Sequence, residues 1–210
     1  MNNASAELKR ISDQITTCQQ CPLGRMRTKA VAGEGPPDAE IMLIGEGPGY
    51  HEDRQGRPFV GQSGKLLEHL LATIGLTREQ VFITNVIKCR PPSNRDPLPQ
   101  EIEACTPYLH RQIDLISPLL IVTLGRFSMA QFFPASARIT RIHGQPLRQE
   151  GRIIMPMFHP AAALRNPQWQ SAMKQDFARI PALLEEARRE RAVQDAAEQE
   201  PDDMEQLSFF

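Results

Sequence analysis

Residues 39–49 read AEIMLIGEGPG, an apolar run that passes without a polar break into a glycine-rich turn. A run that is continuous rather than alternating suits a strand covered on both faces, as in parallel sheets. Three more runs of this kind follow: VFITNV at 81–86, LLIVTL at 119–124 and IIMPMF at 153–158. Helical patterns lie between them, at 64–74, 99–116 and 126–133. A leading helix is expected over 5–17 and one long closing helix from 168 to about 197. The alternation predicts an α/β fold, a three-layer α/β/α sandwich around a four-stranded, largely parallel central sheet. In such sheets ligands bind outside the carboxyl ends of the strands. Those ends carry Gly45-Glu46-Gly47-Pro48-Gly49, Asn85, Gly125 and His159, so an acid, an amide and an imidazole are expected to face one crevice.

The chain has 210 residues and a net charge of -1. That balance hides an asymmetry. Residues 1–184 hold 21 Lys and Arg against 16 Asp and Glu, whereas residues 185–210 hold 3 against 9. A basic body fits a polyanionic partner. Residues 1–197 are expected to form one domain and 198–210 a disordered acidic tail. No apolar run approaches the roughly 20 residues of a membrane-spanning helix, and MNNASAELKRISDQ at the N-terminus lacks the core of a secretory signal. The expectation is a cytoplasmic monomer that has no dealings with a membrane.

Four cysteines in such a chain point to metal ligation or to burial as free thiols rather than to disulfides. Cys18 and Cys21 form a C-x2-C pair, and Cys89 and Cys105 have to be brought to it by the fold. Tetrahedral thiolate sites hold zinc or an iron–sulfur cluster, and spacing does not choose between them. The GEGPG turn matches neither a Walker loop nor G-x-G-x-x-G, but its backbone N–H groups could approach a ligand closely. Close by, Glu52 and Asp53 precede Arg57-Pro58-Phe59-Val60-Gly61, where the aromatic is a candidate stacking platform for a base. Asn85 is the lone amide of an apolar strand. One acceptor and two donors complement the N3–H donor and O4 acceptor of uracil and mismatch cytosine. His159 stands at a strand end before the rigid Pro160.

In order and spacing, CQQCPLGR, GEGPGYHEDRQGRPFVGQSGKLL, TNVIKCRPPSNRDP, Cys105, VTLG and HPAAALRNP resemble the family 4 uracil-DNA glycosylases, the iron–sulfur branch of that superfamily. The resemblance runs from Cys18 to about residue 166. It implies a four-stranded parallel core, a [4Fe-4S] cluster on Cys18, Cys21, Cys89 and Cys105, and hydrolysis of the bond between uracil and deoxyribose in DNA repair. By the same resemblance Asn85 reads the uracil edge, Phe59 stacks on the everted base, and Gly45 and Gly47 of the turn bring their backbone to it. His159 donates toward uracil O2, as imidazole or imidazolium. Glu46 and Glu52 are the candidates for assisting water, with exclusion of the thymine methyl a further role for Glu52. Leu164 and Arg165 are the expected wedge and phosphate contact. Ser63 and Lys65 open a helix toward a phosphate, and Lys88, Arg90 and Arg95 are candidate backbone contacts. Arg141-Ile142-His143 resembles a covalent-capture motif of a related branch but stands in a different place, so His143 reads as ordinary.

The chain ends in Gln206-Leu207-Ser208-Phe209-Phe210, which resembles the bacterial sliding-clamp-binding peptide. Gln206 would bond to the partner while Leu207, Phe209 and Phe210 fill apolar clefts. The rival readings are a DNA-binding module switched by cluster oxidation, which releases no uracil, and a zinc hydrolase, which lacks an HExxH-type open site. With no lysine nucleophile expected at the crevice, a strand-cleaving lyase step is not expected.

Overall fold

A computed structural model describes residues 3–199 of the chain. The tail, with Gln206, Leu207, Phe209 and Phe210, lies outside the described residues. In chain order the elements are α1 (Asn3–Thr17), α2 (Leu23–Met26), β1 (Ile41–Gly45), α3 (Tyr50–Gln55), α4 (Gln62–Thr73) and β2 (Phe82–Asn85). Then come α5 (Pro99–Ile116), β3 (Leu120–Leu124), α6 (Arg126–Met129), α7 (Ile139–Ile142), β4 (Leu147–Gln149) and β5 (Arg152–Met157). The chain closes with α8 (Pro160–Ala163), α9 (Pro167–Phe177) and α10 (Ile180–Gln199).

The strands run in the order β2-β1-β3-β5-β4, and every pair is parallel except β4 with β5. Successive side chains of a strand point to opposite faces, and the core divides accordingly. Ile41, Leu43, Ile83, Val122 and Met155 pack with Leu67, Leu70 and Phe177 of α4 and α9, and with Leu183 of α10. Met42, Ile44, Phe82, Ile121 and Ile154 pack with Leu109, Ile113 and Ile116 of α5. The unbroken apolar runs are therefore strands sandwiched between two helical layers. Gly45 of β1 pairs with Asn85 of β2, so the four parallel strands end together at one edge. Because β1 lies between β2 and β3, the chain reverses its winding there, which opens the crevice at that edge.

Three expectations are corrected. The sheet has a fifth described strand, β4, joined to β5 by Glu150-Gly151 with φ of 52 and 69°. Two consecutive left-handed residues make the tight turn whose twist matches a hairpin. The helix expected over 126–133 stops at Met129, where the chain tightens into turns with the Gln131 N–H on the Ser128 carbonyl at 3.2 Å and the Phe132 N–H on the Met129 carbonyl at 3.0 Å. The single closing helix is two, α9 and α10, and Pro181 in the first turn of α10 has no N–H for the carbonyl of Phe177.

Candidate active site

The carboxyl edge of the sheet holds a cleft of about 360 Å³ whose walls include Glu46, Gly47, Glu52, Phe59, Asn85 and His159. They arrive from three strand ends: Glu46, Gly47, Glu52 and Phe59 follow β1, Asn85 ends β2, and His159 follows β5. Asn85 is 1% exposed, and its carboxamide oxygen is buried without a hydrogen-bond partner among the described residues. Such an orphan costs about 1–3 kcal/mol, which a donor on a ligand would recover. Gly45 sits behind the cleft: a Cβ there would lie 2.3 Å from Asn85 Oδ1 and 2.6 Å from Phe59 Cζ. The missing side chain lets amide and aromatic ring meet.

His159 caps α8: its Nδ1 accepts from the Ala161 N–H at 3.1 Å. Burial holds the imidazole down to about 4, well below its ordinary value, against the opposing pull of the Glu52 carboxylate. A neutral ring whose Nδ1 accepts must carry its proton on Nε2, so the cap fixes a donor there. The Phe59 and His159 rings stack with centroids 5.8 Å apart.

The carboxylates differ. Glu46 accepts from the Phe127 N–H at 3.0 Å at the start of α6, just past β3. Its burial raises the pKa above the ordinary carboxylate value, against the bonds from the Phe127 and Arg126 backbone. Glu52 spends Oε1 on the N–H groups of Val60 and Gly61, at 2.9 and 3.0 Å. Its oxygen therefore holds the turn that carries Phe59.

The outer residues divide. Ser63 and Arg165 line the cleft, Leu164 stands 47% exposed beside it, and Lys65 is exposed on the first turn of α4. Arg90 lies over Tyr50, and Arg95 is paired with Glu101. Lys88 is not a surface contact: it is 1% exposed, with Nζ bonded to Thr84 Oγ1, the Asn85 carbonyl and Gln112 Oε1 at 2.6, 2.8 and 2.7 Å. Three acceptors supply what water would give it. His143 is bonded to Asp176 at 2.9 Å, away from the cleft walls. The sequence reading missed Asp96, a cleft-lining carboxylate paired with Arg126. The closely set prolines of RPPSNRDP, which fold 91–97 back over the cleft, were the available signal.

On the α5 side of the sheet Cys18, Cys21, Cys89 and Cys105 line one small cavity. Arg27 donates to Cys89 Sγ at 2.9 Å and the Lys88 N–H to Cys105 Sγ at 3.3 Å. Burial pushes the Cys105 thiol up to about 11, so a free thiol there stays protonated and only a bound cation would make it a thiolate. Among the described residues no three ligating groups converge on a single metal ion. Four cysteine sulfurs around one cavity are a donor set that suits zinc or an iron–sulfur cluster.

The sequence profile of the Uracil DNA glycosylase superfamily matches residues 32–183. Over 185 residues the chain is 49% identical to the Type-4 uracil-DNA glycosylase of Sulfurisphaera tokodaii, covering 84% of each chain. The chain belongs to the uracil-DNA glycosylase superfamily, in its type 4 branch. A Type-4 uracil-DNA glycosylase of Thermotoga maritima is 46% identical over 158 residues, 74% of this chain and 82% of its own. The Type-5 enzyme of Thermus thermophilus is 32% identical over 147 residues, 55% of this chain and 67% of its own. The superfamily match spans the strand ends that build the cleft, while Cys18 and Cys21 precede it.

Proposed function

We propose that the chain is a monofunctional uracil-DNA glycosylase acting in base-excision repair, with Asn85 and His159 as its recognition and leaving-group residues. The nucleotide is turned out of the stack, at a cost of a few kcal/mol, and enters the cleft. The Asn85 carboxamide oxygen takes the uracil N3–H and its NH2 gives to O4. The bond between N1 and C1′ breaks with its electron pair going to uracil, and His159 Nε2–H donates to O2, where that charge collects. Water adds to C1′ beside the Glu46 carboxylate, its hydroxyl staying on the sugar and its proton passing through solvent to the departing uracil anion. Free uracil and an abasic site remain.

The observation that carries this reading is one cleft holding a buried amide oxygen without a partner among the described residues and an imidazole whose Nδ1 is already committed. Among the described residues the cleft walls carry no lysine, which favours hydrolysis over a lyase step. Phe59 serves as the stacking surface, Leu164 as the wedge, and Arg165, Ser63 and Lys65 as phosphate contacts. The test is release of uracil from U·G, U·A and single-stranded oligonucleotides. No release from any of them overturns the assignment.

The four cysteines would hold a [4Fe-4S] cluster, which supplies cross-linking of the N-terminal segment to β2 and α5 rather than a reaction step. Visible absorption of the purified protein, lost in Cys89→Ser, tests it; a colourless zinc protein overturns it. Residues 206–210 are proposed as a sliding-clamp peptide, and equal recovery of clamp with and without them would end that idea. Among the described residues no helix is long and apolar enough to cross a membrane, and a DNA substrate is consistent with a cytoplasmic enzyme.

A further inference from the structure

Phe59 has φ of 51°, a left-handed backbone that a bulky residue adopts only when its surroundings impose it. Part of that constraint is local. A Cβ on Gly64 would lie 1.8 Å from the Phe59 carbonyl oxygen, so the start of α4 presses directly on the residue. A further hold comes from Arg78, in the short 3-10 turn at Arg78–Gln80 that leads into β2. Its guanidinium donates to the Pro58 carbonyl at 2.7 Å and to the Phe59 carbonyl at 3.0 Å. Its other N–H groups go to Glu34, from Nε at 2.9 Å and again from the second terminal nitrogen, and to Glu68 at 2.7 Å. All five donors of the planar fork are thus used, and two of them hold the two carbonyls that bracket the left-handed residue. The side chain is only 10% exposed, and the guanidinium does not line the cleft.

We infer that Arg78 is a positioning residue for the base-stacking surface, holding Phe59 in its left-handed conformation through the Pro58 and Phe59 carbonyls. The inference rests on the proposed role of Phe59. Glu52 holds the far side of the same turn through Val60 and Gly61, so the ring is fixed from both flanks. Lysine at position 78 keeps the charge beside Glu34 and Glu68 but cannot span two carbonyls and two carboxylates with one ammonium.

The experiment compares Arg78→Lys, Arg78→Ala, Phe59→Ala and the Arg78→Lys/Phe59→Ala double variant. It reads single-turnover uracil release, inhibition by free uracil, affinity for an abasic duplex, and the thermal midpoint. Loss of the two carbonyl contacts should slow release about tenfold in Arg78→Lys and weaken inhibition by free uracil to match. Affinity for the abasic duplex should stay within about twofold, since the pocket is empty in that complex. The double variant should be no slower than Phe59→Ala, because the two act through one ring. Arg78→Lys serves where Arg78→Ala fails to fold. Wild-type release and uracil inhibition by Arg78→Lys, beside a slow Phe59→Ala, overturn the positioning role alone. A multiplicative double variant does the same. Wild-type release by Phe59→Ala overturns the stacking reading and this inference with it.

Discussion

The two sides of the segment from Thr84 to Cys89 treat buried polar groups in opposite ways. On the cleft side Asn85 keeps a carboxamide oxygen without a partner among the described residues. On the cysteine side, three residues later, Lys88 has all three of its ammonium protons placed, one of them on the backbone carbonyl of Asn85 itself. The fold thus leaves open the polar group that is to meet a ligand and closes the one that is to hold the loop. Burial alone does not tell the two apart; the partner count does.

The comparison breaks first at the cleft. Asn85→Ala and His159→Ala should each slow uracil release about 10²–10³-fold, as loss of a preorganised donor or acceptor does. The thermal midpoint of Asn85→Ala should fall little, since its oxygen has nothing to lose; a large fall would mean that the orphan is a structural group after all. Lys88→Met should show the converse. Removing three buried hydrogen bonds should cost roughly 3 kcal/mol in denaturant unfolding, and any loss of activity should follow the loss of folded protein. Lys88→Met with wild-type stability would undo the contrast.

The pH response sharpens it further. The folded pKa of His159, about 4, lies below the ordinary value of 6.5. Between the two the unfolded chain binds the extra proton, so this group's contribution to stability is full above 6.5 and lost as pH falls toward 4. Its Nε2 donor, by contrast, persists on the folded protein down to about 4. Single-turnover release should therefore show no step near 6.5 arising from His159, and a step there absent from His159→Asn would reverse the assignment. The smallest effect is expected at the rim. Lys65→Ala should change release about twofold and reduce the slope of log affinity against log salt by about one.

How much of this was legible in the sequence depends on the range of the interaction that decides it. The four parallel strands and their common edge were readable because burial on both faces leaves continuous apolar runs, and Asn85 and His159 were readable because they interrupt or end those runs. The Glu150-Gly151 hairpin was missed although its two residues stand between LRQ and RII, since one half-buried leucine followed by two exposed polar residues makes no apolar run. Pro181 was a plain break in a helical pattern read straight through it. Lys88 was misread for a different reason. Its burial is decided by Gln112, 24 residues on, whose side chain reaches it from α5. Arg78 carried no signal at all, because the carbonyls it holds lie 19 and 20 residues earlier and any backbone has carbonyls.

The ring at position 159 starts α8 with one nitrogen and leaves the other without a partner among the described residues, so drift at this position must satisfy two demands with one side chain. Asparagine is the replacement that comes nearest, since its oxygen is a good opening group for a helix and its amide still offers hydrogen, though from a shorter arm. A lineage passing through that change would keep its shape and its grip on damaged DNA while turning over slowly, and so would pass from a repair catalyst toward a lesion marker without refolding.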